Sequence, residues 1–185
     1  MKMRATILED RKLIYEIQHG KKELLETLIK KYYDDIYKFC YYKTGNAIIS
    51  YDLTQETFLK LIKYISSYKD KGKFKSYLIT IALNVCNSYF YKNNIDSKNT
   101  FENQHAHIGQ NDNNFKGIEN KSVILKALEK LPDKQRETII LKYYMNLRIR
   151  EIAKIQNEKV PTVKSRLKQG LSKLNRFLNV EDFYE

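Results

Sequence analysis

Tryptophan is absent from these 185 residues, and there are only six glycines, two prolines and two cysteines. So few breakers leave a composition dominated by Lys, Leu, Ile, Tyr, Asn and Glu, which leans to helix. No stretch reaches the roughly 18–20 uninterrupted apolar residues of a membrane span, which excludes direct membrane insertion. Met1 to Asp10 holds basic residues but no apolar stretch followed by small residues, so no secretory signal is visible and a cytoplasmic location is expected. Cys40 and Cys86 lie far apart, each within an apolar helical pattern and outside any C-x-x-C, and are expected to be reduced core thiols. His105 and His107 form an H-x-H with no Cys and no third ligand nearby, so neither metal nor cofactor is expected. Nucleophile–base pairings, metal-ligand clusters and phosphate-cradling Gly loops are also missing, and an enzyme is the least expected class.

What is plentiful is positive charge. The net charge is +12, and it is distributed unevenly. Residues 1–92 carry 17 Lys and Arg against 10 Asp and Glu, residues 93–120 carry 2 against 4, and residues 121–185 carry 15 against 8. Two basic blocks flanking a slightly acidic spacer suit two modules that each meet a polyanion.

The hydrophobic spacing agrees with that division. Leu13, Ile14 and Ile17 recur at helical intervals before His19-Gly20. Leu24, Leu25, Leu28, Ile29, Tyr32, Ile36 and Phe39 continue the pattern to a stop at Thr44-Gly45-Asn46. A third helix is predicted from about Ala47 to Ile65 and a fourth from Phe74 to about Tyr91, enough for one enclosed core. The stretch 93–120 is dense in Asn, Asp, Gln, Ser and His, and cannot bury enough surface to offset its ordering entropy. The expected architecture is therefore all-α: a helical domain over 9–92, a flexible linker over 93–120, and a second helical domain over 121–180. In the second, Leu131 precedes the helix-breaking Pro132, and Asp133 is the expected N-cap of a helix through Tyr144.

Two short helices remain. Ile149 to Gln156 turns Ile152 and the small Ala153 inward; Asn157 sits where the chain must turn, and Pro161 near the first turn of the next helix. At about 100° per residue, Val163, Leu167, Leu171, Leu174 and Leu178 form one stripe. Thr162, Ser165, Gln169 and Arg176 fall opposite, with Arg166 and Lys168 as shoulders. An apolar back with a short-polar, basic-flanked front suits a helix-turn-helix whose second helix enters a major groove.

These residues carry a family resemblance. Glu151-Ile152-Ala153, then Thr162 to Leu167 (T-V-K-S-R-L), resembles region 4 of the sigma-70 family, and Leu128 to Arg136 is similar to that domain's entry helix. Asp52 to Phe58 (D-L-T-Q-E-T-F) resembles region 2, and Ile81 to Asn84 resembles its promoter-reading helix. Regions 2 and 4 in this order, without a region 3, resemble an extracytoplasmic-function (ECF) sigma factor.

The resemblance implies partners and sites. Core RNA polymerase would be met through its β′ clamp helices by Asp52, Leu53, Gln55 and Glu56, and also through its β flap. Asp52, Gln55 and Glu56 share a helix face; Asp52 as a cap is the rival reading, but a helix beginning near Asn46 leaves it mid-helix. Promoter −10 DNA would meet Tyr68, Lys69, Lys71, Lys73, Lys75, Tyr77, Asn84 and Asn87, where rings stack on bases and lysines meet phosphates. Phe74 and Tyr77 are equally suited to core packing. The −35 duplex would meet Lys159, Thr162, Lys164, Ser165, Arg166, Lys168 and Gln169. An anti-sigma factor is a further partner open to such a protein.

The chain departs from the family pattern in places. Tyr77 stands for the usual Trp, Ser88 and Tyr91 for Asp and Arg, and Gln156-Asn157-Glu158 for a Leu-Gly-Ile-like turn expected to pack less well here. A free-standing helix-turn-helix regulator with an N-terminal partner-binding bundle fits the same two-module layout. The Asp52–Phe58 segment discriminates, because such a regulator has no need of it.

Overall fold

Residues 2–69, 72–93 and 118–181 are described by the computed structural model. Lys71, His105, His107 and most of the 93–120 stretch lie outside the described residues. Eight α-helices account for nearly all of what is described, in two regions. The first holds α1 (Lys2–Gln18), α2 (Leu24–Thr44), α3 (Ala47–Tyr64) and α4 (Phe74–Lys92), with a short 3-10 turn at Ile65–Ser67. The second holds α5 (Ile118–Glu129), α6 (Asp133–Ile139), α7 (Ile149–Ile155) and α8 (Val160–Glu181).

The punctuation follows local chemistry. Gly45 ends α2 in the left-handed conformation (φ 67°), and Asn46 then caps α3, its side chain accepting from the Ile49 amide. Asp52 is therefore mid-helix, as the start near Asn46 requires. Leu28, Tyr32, Ile36 and Phe39 of α2 bury one stripe against Leu53, Phe58 and Leu61 of α3 and Phe74, Leu78, Ala82 and Cys86 of α4. Cys40 and Cys86 lie buried with their sulfurs 3.9 Å apart. A hydrogen bond to Cys40 and burial both push the Cys86 thiol up, so it is a packing group and a poor nucleophile.

Asp133 departs from its expected role. Pro132 occupies the cap position, Asp133 is the first residue of α6, and its carboxylate turns to Arg136 and to Lys43 of α2. The helix also does not run regularly to Tyr144. It widens into a π-type turn at Ile140–Tyr144, and Asn146 (φ 55°) then reverses the chain. Across α6, α8 approaches so closely that a Cβ on Gly170 would stand 3.0 Å from Ile139 Cδ1 and 3.3 Å from Gln135 Cβ.

Although the 93–120 composition predicts independent domains, the two regions touch. Ile140, Leu141, Met145, Leu147, Ile152, Ala153 and Val163 join the same buried cluster as α1–α4. The Tyr42 and Tyr144 rings meet with centroids 3.9 Å apart. Ser76 of α4 donates to Glu151 of α7 at 3.5 Å. At the centre, Lys43 is fully buried and donates to Asp133 (2.8 Å) and Glu137 (3.3 Å). Burial alone would raise the Asp133 carboxyl; the charges of Lys43 and Arg136 outweigh it and hold that carboxyl below its ordinary value.

Replacing Gly170 by Val should force α8 off α6, since the site has no room for branched carbons. Overpacking of this kind costs about 1–3 kcal/mol, which lowers Tm by about 2–12 °C in a chain of this size. Thermal unfolding followed by circular dichroism measures it; an unchanged Tm would mean that α8 can retreat without loss.

Candidate nucleic-acid interface

Three surfaces carry the candidate residues. The first is the outer side of α3, where Asp52, Gln55 and Glu56 are exposed. Glu56 is braced by Lys60 at 2.8 Å. Leu53 does not join them: it is buried in the core and holds the helix in place. What the sequence reading missed is the apolar content of this face. Ile48, Tyr51, Leu59 and Ile62 are 73%, 52%, 66% and 43% exposed. With Asp52 and Gln55 they form a continuous 3–4-spaced stripe on the side of α3 away from Leu53 and Leu61. Apolar residues recurring at two helical phases in one segment were the available signal.

The second surface is the loop before α4 and the outer side of that helix. Gln18 of α1 donates to the carbonyls of Ile65 (2.7 Å) and Tyr68 (2.8 Å), which pins the loop onto the bundle. Phe74 is buried. Tyr68 and Tyr77 are half-buried and lean together with ring centroids 4.5 Å apart, leaving an aromatic pair at the surface. Lys69 and Lys73 are exposed, whereas Lys75 is drawn to Asp35 of α2 at 2.7 Å. Further along α4, Asn84 and Asn87 are exposed and line a shallow groove of about 490 Å³ with Ser88, Tyr91 and Lys92. Tyr91 is 86% exposed. It falls two helical turns from Asn84, a spacing that would have placed it on this face from sequence.

The third surface is the helix-turn-helix. Ala153 and Val163 are buried where α7 and α8 cross. Asn157 adopts φ 52°, and the amides of Asn157 and Glu158 donate back to the carbonyls of Lys154 (3.3 Å) and Ala153 (2.8 Å), closing α7 in a Schellman arrangement. The turn expected to pack poorly is in fact fully engaged. Gln156 donates to Glu137 at 2.8 Å, and Glu158 accepts from Arg166 at 2.6 Å. That pairing leaves Arg166 half-buried, as is Thr162. Lys159, Lys164, Ser165, Lys168 and Gln169 are exposed, and Gln169 accepts from Gln135 of α6 at 3.1 Å. Arg150 and Lys154 of α7 add cations beside Lys159 in a groove of about 860 Å³. Neither was singled out from sequence. The outcome is a polar, cationic face on an apolar-backed helix, suited to phosphates at its edges and base edges at its centre.

Comparison with known proteins gives the class. Residues 28–94 match the Sigma-70 region 2 family and residues 121–174 match Sigma-70, region 4. ECF RNA polymerase sigma factor SigW of Bacillus subtilis is 29% identical over 179 residues, covering 91% of this chain and 96% of the relative. SigM of the same organism is 27% identical over 157 residues, covering 84% and 95%. Among solved structures, CnrH in complex with the cytosolic domain of CnrY superposes with a TM-score of 0.72 at 19% identity, covering 92% of this chain and 97% of that one. RpoE in complex with the anti-sigma factor NepR, from Bartonella quintana, gives 0.67 at 22%, covering 84% and 96%. At these identities the structural likeness concerns the fold.

The chain belongs to the sigma-70 family, in its ECF group. It is an alternative sigma factor that directs transcription initiation.

Because Asn157 is left-handed, Asn157→Gly should leave stability within a few tenths of a kcal/mol, while Asn157→Val should cost about 1–2 kcal/mol. Urea denaturation of the two variants checks the difference; equal midpoints would show that the turn tolerates a β-branched residue.

Proposed function

We propose that the three surfaces divide the work of initiation. The outer side of α3 docks on the β′ clamp helices of core polymerase: Ile48, Tyr51, Leu59 and Ile62 supply apolar area, and Asp52, Gln55 and Glu56 supply direction toward basic groups. The loop and outer side of α4 meet the −10 element. Lys69 and Lys73 attract its phosphates, Tyr68 and Tyr77 offer stacking faces for unpaired bases, and Asn84 and Asn87 offer hydrogen bonds. α8 enters the −35 major groove, with Ser165 and Gln169 toward base edges and Lys159, Lys164 and Lys168 toward phosphates. Thr162 and Arg166, half-buried beside them, adjust the edge of that contact.

Residues 9–92 and 121–180 act as the two reading domains, joined by 93–120. The protein works in the cytoplasm, has no catalytic step of its own, and is open to control by an anti-sigma factor, as the RpoE–NepR complex illustrates for a protein of similar fold. No helix among the described residues is long and apolar enough to cross a membrane.

The observation that carries this reading is the exposed apolar stripe on α3 flanked by carboxylates. Side chains of that size are left in water where a partner covers them, and a free-standing DNA-binding regulator would not need them. Run-off transcription with core polymerase tests it directly. Added chain should give promoter-specific transcripts that core alone does not. Asp52→Ala combined with Glu56→Ala should lower polymerase affinity at least about tenfold with helical content unchanged, each interfacial charge contributing about 1 kcal/mol or more. Full retention of affinity by that variant would contradict the assignment.

A further inference from the structure

We propose that Gln135, on α6 and outside the helix-turn-helix, is a specificity-determining positioning residue: it fixes the Gln169 amide with its N–H side toward the DNA, so that one −35 position is read for guanine. The inference rests on α8 reading the −35 duplex and names the base that one pair of its side chains selects.

The arrangement begins in the packing of α6 against α8. Gly170 carries no side chain, and a Cβ there would stand 3.3 Å from Gln135 Cβ and 3.6 Å from the Gln135 carbonyl oxygen. That close approach brings Gln135, half-buried on α6, within hydrogen-bond reach of Gln169, the residue before Gly170. Gln135 Nε2 donates to Gln169 Oε1 at 3.1 Å. Gln169 Nε2 in turn donates to Ser165 Oγ at 3.2 Å, one turn earlier on α8. Gln135 is the sheltered end of this relay, while Gln169 and Ser165 are exposed.

The direction of the relay follows from the atom left over. Gln135 Oε1 is buried and meets no hydrogen-bond partner among the described residues. Turning that amide over would put Nε2 in the same place, burying two N–H groups without acceptors instead of one oxygen without a donor. Among buried backbone groups, orphaned N–H is rarer than under-used C=O, and a side-chain amide has the same chemistry. Gln135 is therefore held with its N–H toward α8. Gln169 must answer with its oxygen, which turns its nitrogen to Ser165 and to the DNA.

This orientation selects among bases. Adenine is gripped by both ends of a glutamine at once, the oxygen accepting from N6 and the nitrogen donating to N7. In this chain the Gln169 oxygen is drawn back to Gln135, so that grip is not offered. What remains outward is one N–H of Gln169 and the Ser165 hydroxyl hydrogen, since Ser165 Oγ is already the acceptor for Gln169. Two donors on adjacent atoms match the two adjacent acceptors of guanine, O6 and N7; no other base shows two acceptors side by side in the major groove.

The test assembles the full chain on core polymerase with a promoter library randomised across the −35 element, and sequences the transcripts. Gln169→Ala marks the position that its side chain reads, as the one whose preference collapses. There the wild type should favour guanine over adenine by about fivefold or more. Gln135→Met keeps the bulk but offers no N–H, and should narrow that ratio to within about twofold while other positions keep theirs. Gln135→Glu can only accept, and should turn Gln169 over and move the preference toward adenine. The relay is overturned by an unchanged ratio in Gln135→Met, by a loss spread evenly over all positions, or by a Gln135→Glu variant that still selects guanine. A wild-type choice other than guanine, or no position that answers to Gln169→Ala, overturns it as well. If Gln135→Met loses helical content, Gln135→Glu decides in the same assay. Wild-type initiation indifferent to the whole −35 sequence would instead strike at the reading of that element by α8.

Discussion

A lysine ammonium removed from water has to meet its counter-charges, and Lys43 meets both of them across the boundary between two helical regions. Desolvating one such ion costs several kcal/mol, and breaking a buried pair by removing one partner costs about 3–5 kcal/mol. The regions therefore cannot dock in any register that leaves Lys43 facing carbon. That single demand places α6 over the end of α2 and brings Tyr144 onto Tyr42. It also sets α7 against α4, where Glu151 caps its own helix through the Arg148 amide and accepts from Ser76.

The demand explains why α6 begins as it does. From sequence, an Asp after Pro132 is a helix cap. In the structure its carboxylate is taken by Lys43 and Arg136, and the helix starts without a side-chain cap. A local preference worth about 1 kcal/mol yields to a long-range electrostatic requirement several times larger. Periodicity has no view of such a partner, because Lys43 lies 90 residues away from Asp133.

Elements with local causes were legible. The stop at Gly45, the cap at Asn46, the left-handed Asn157 and the apolar back of α8 all follow from residues within a few positions of each other. So did the helix-turn-helix, since Ala153 and Val163 meet where small-residue spacing places them. Features with distant causes were not legible. The docking of the two regions, the closeness of Gly170 to Ile139 and the engagement of Gln156 by Glu137 each depend on tertiary partners. The candidate site divides similarly. Exposed polar residues such as Gln55, Asn84 and Ser165 were readable from helical phase, whereas Leu53 was named on the family motif and is buried. The exposed stripe on α3 was missed because a second apolar phase on a helix marks a partner surface only once the first is known to face the core.

The proposed docking of the outer side of α3 on core polymerase is the central claim, and the exposed apolar stripe there carries it. Fluorescence anisotropy of the chain labelled at Ser172→Cys and titrated with core polymerase reads that docking. Position 172 is exposed, and the native Cys40 and Cys86 are buried from labelling. Saturable binding that Leu59→Lys weakens by about tenfold or more, with helical content unchanged, is the predicted result. No binding by the wild-type chain, or full affinity in Leu59→Lys, would contradict the account.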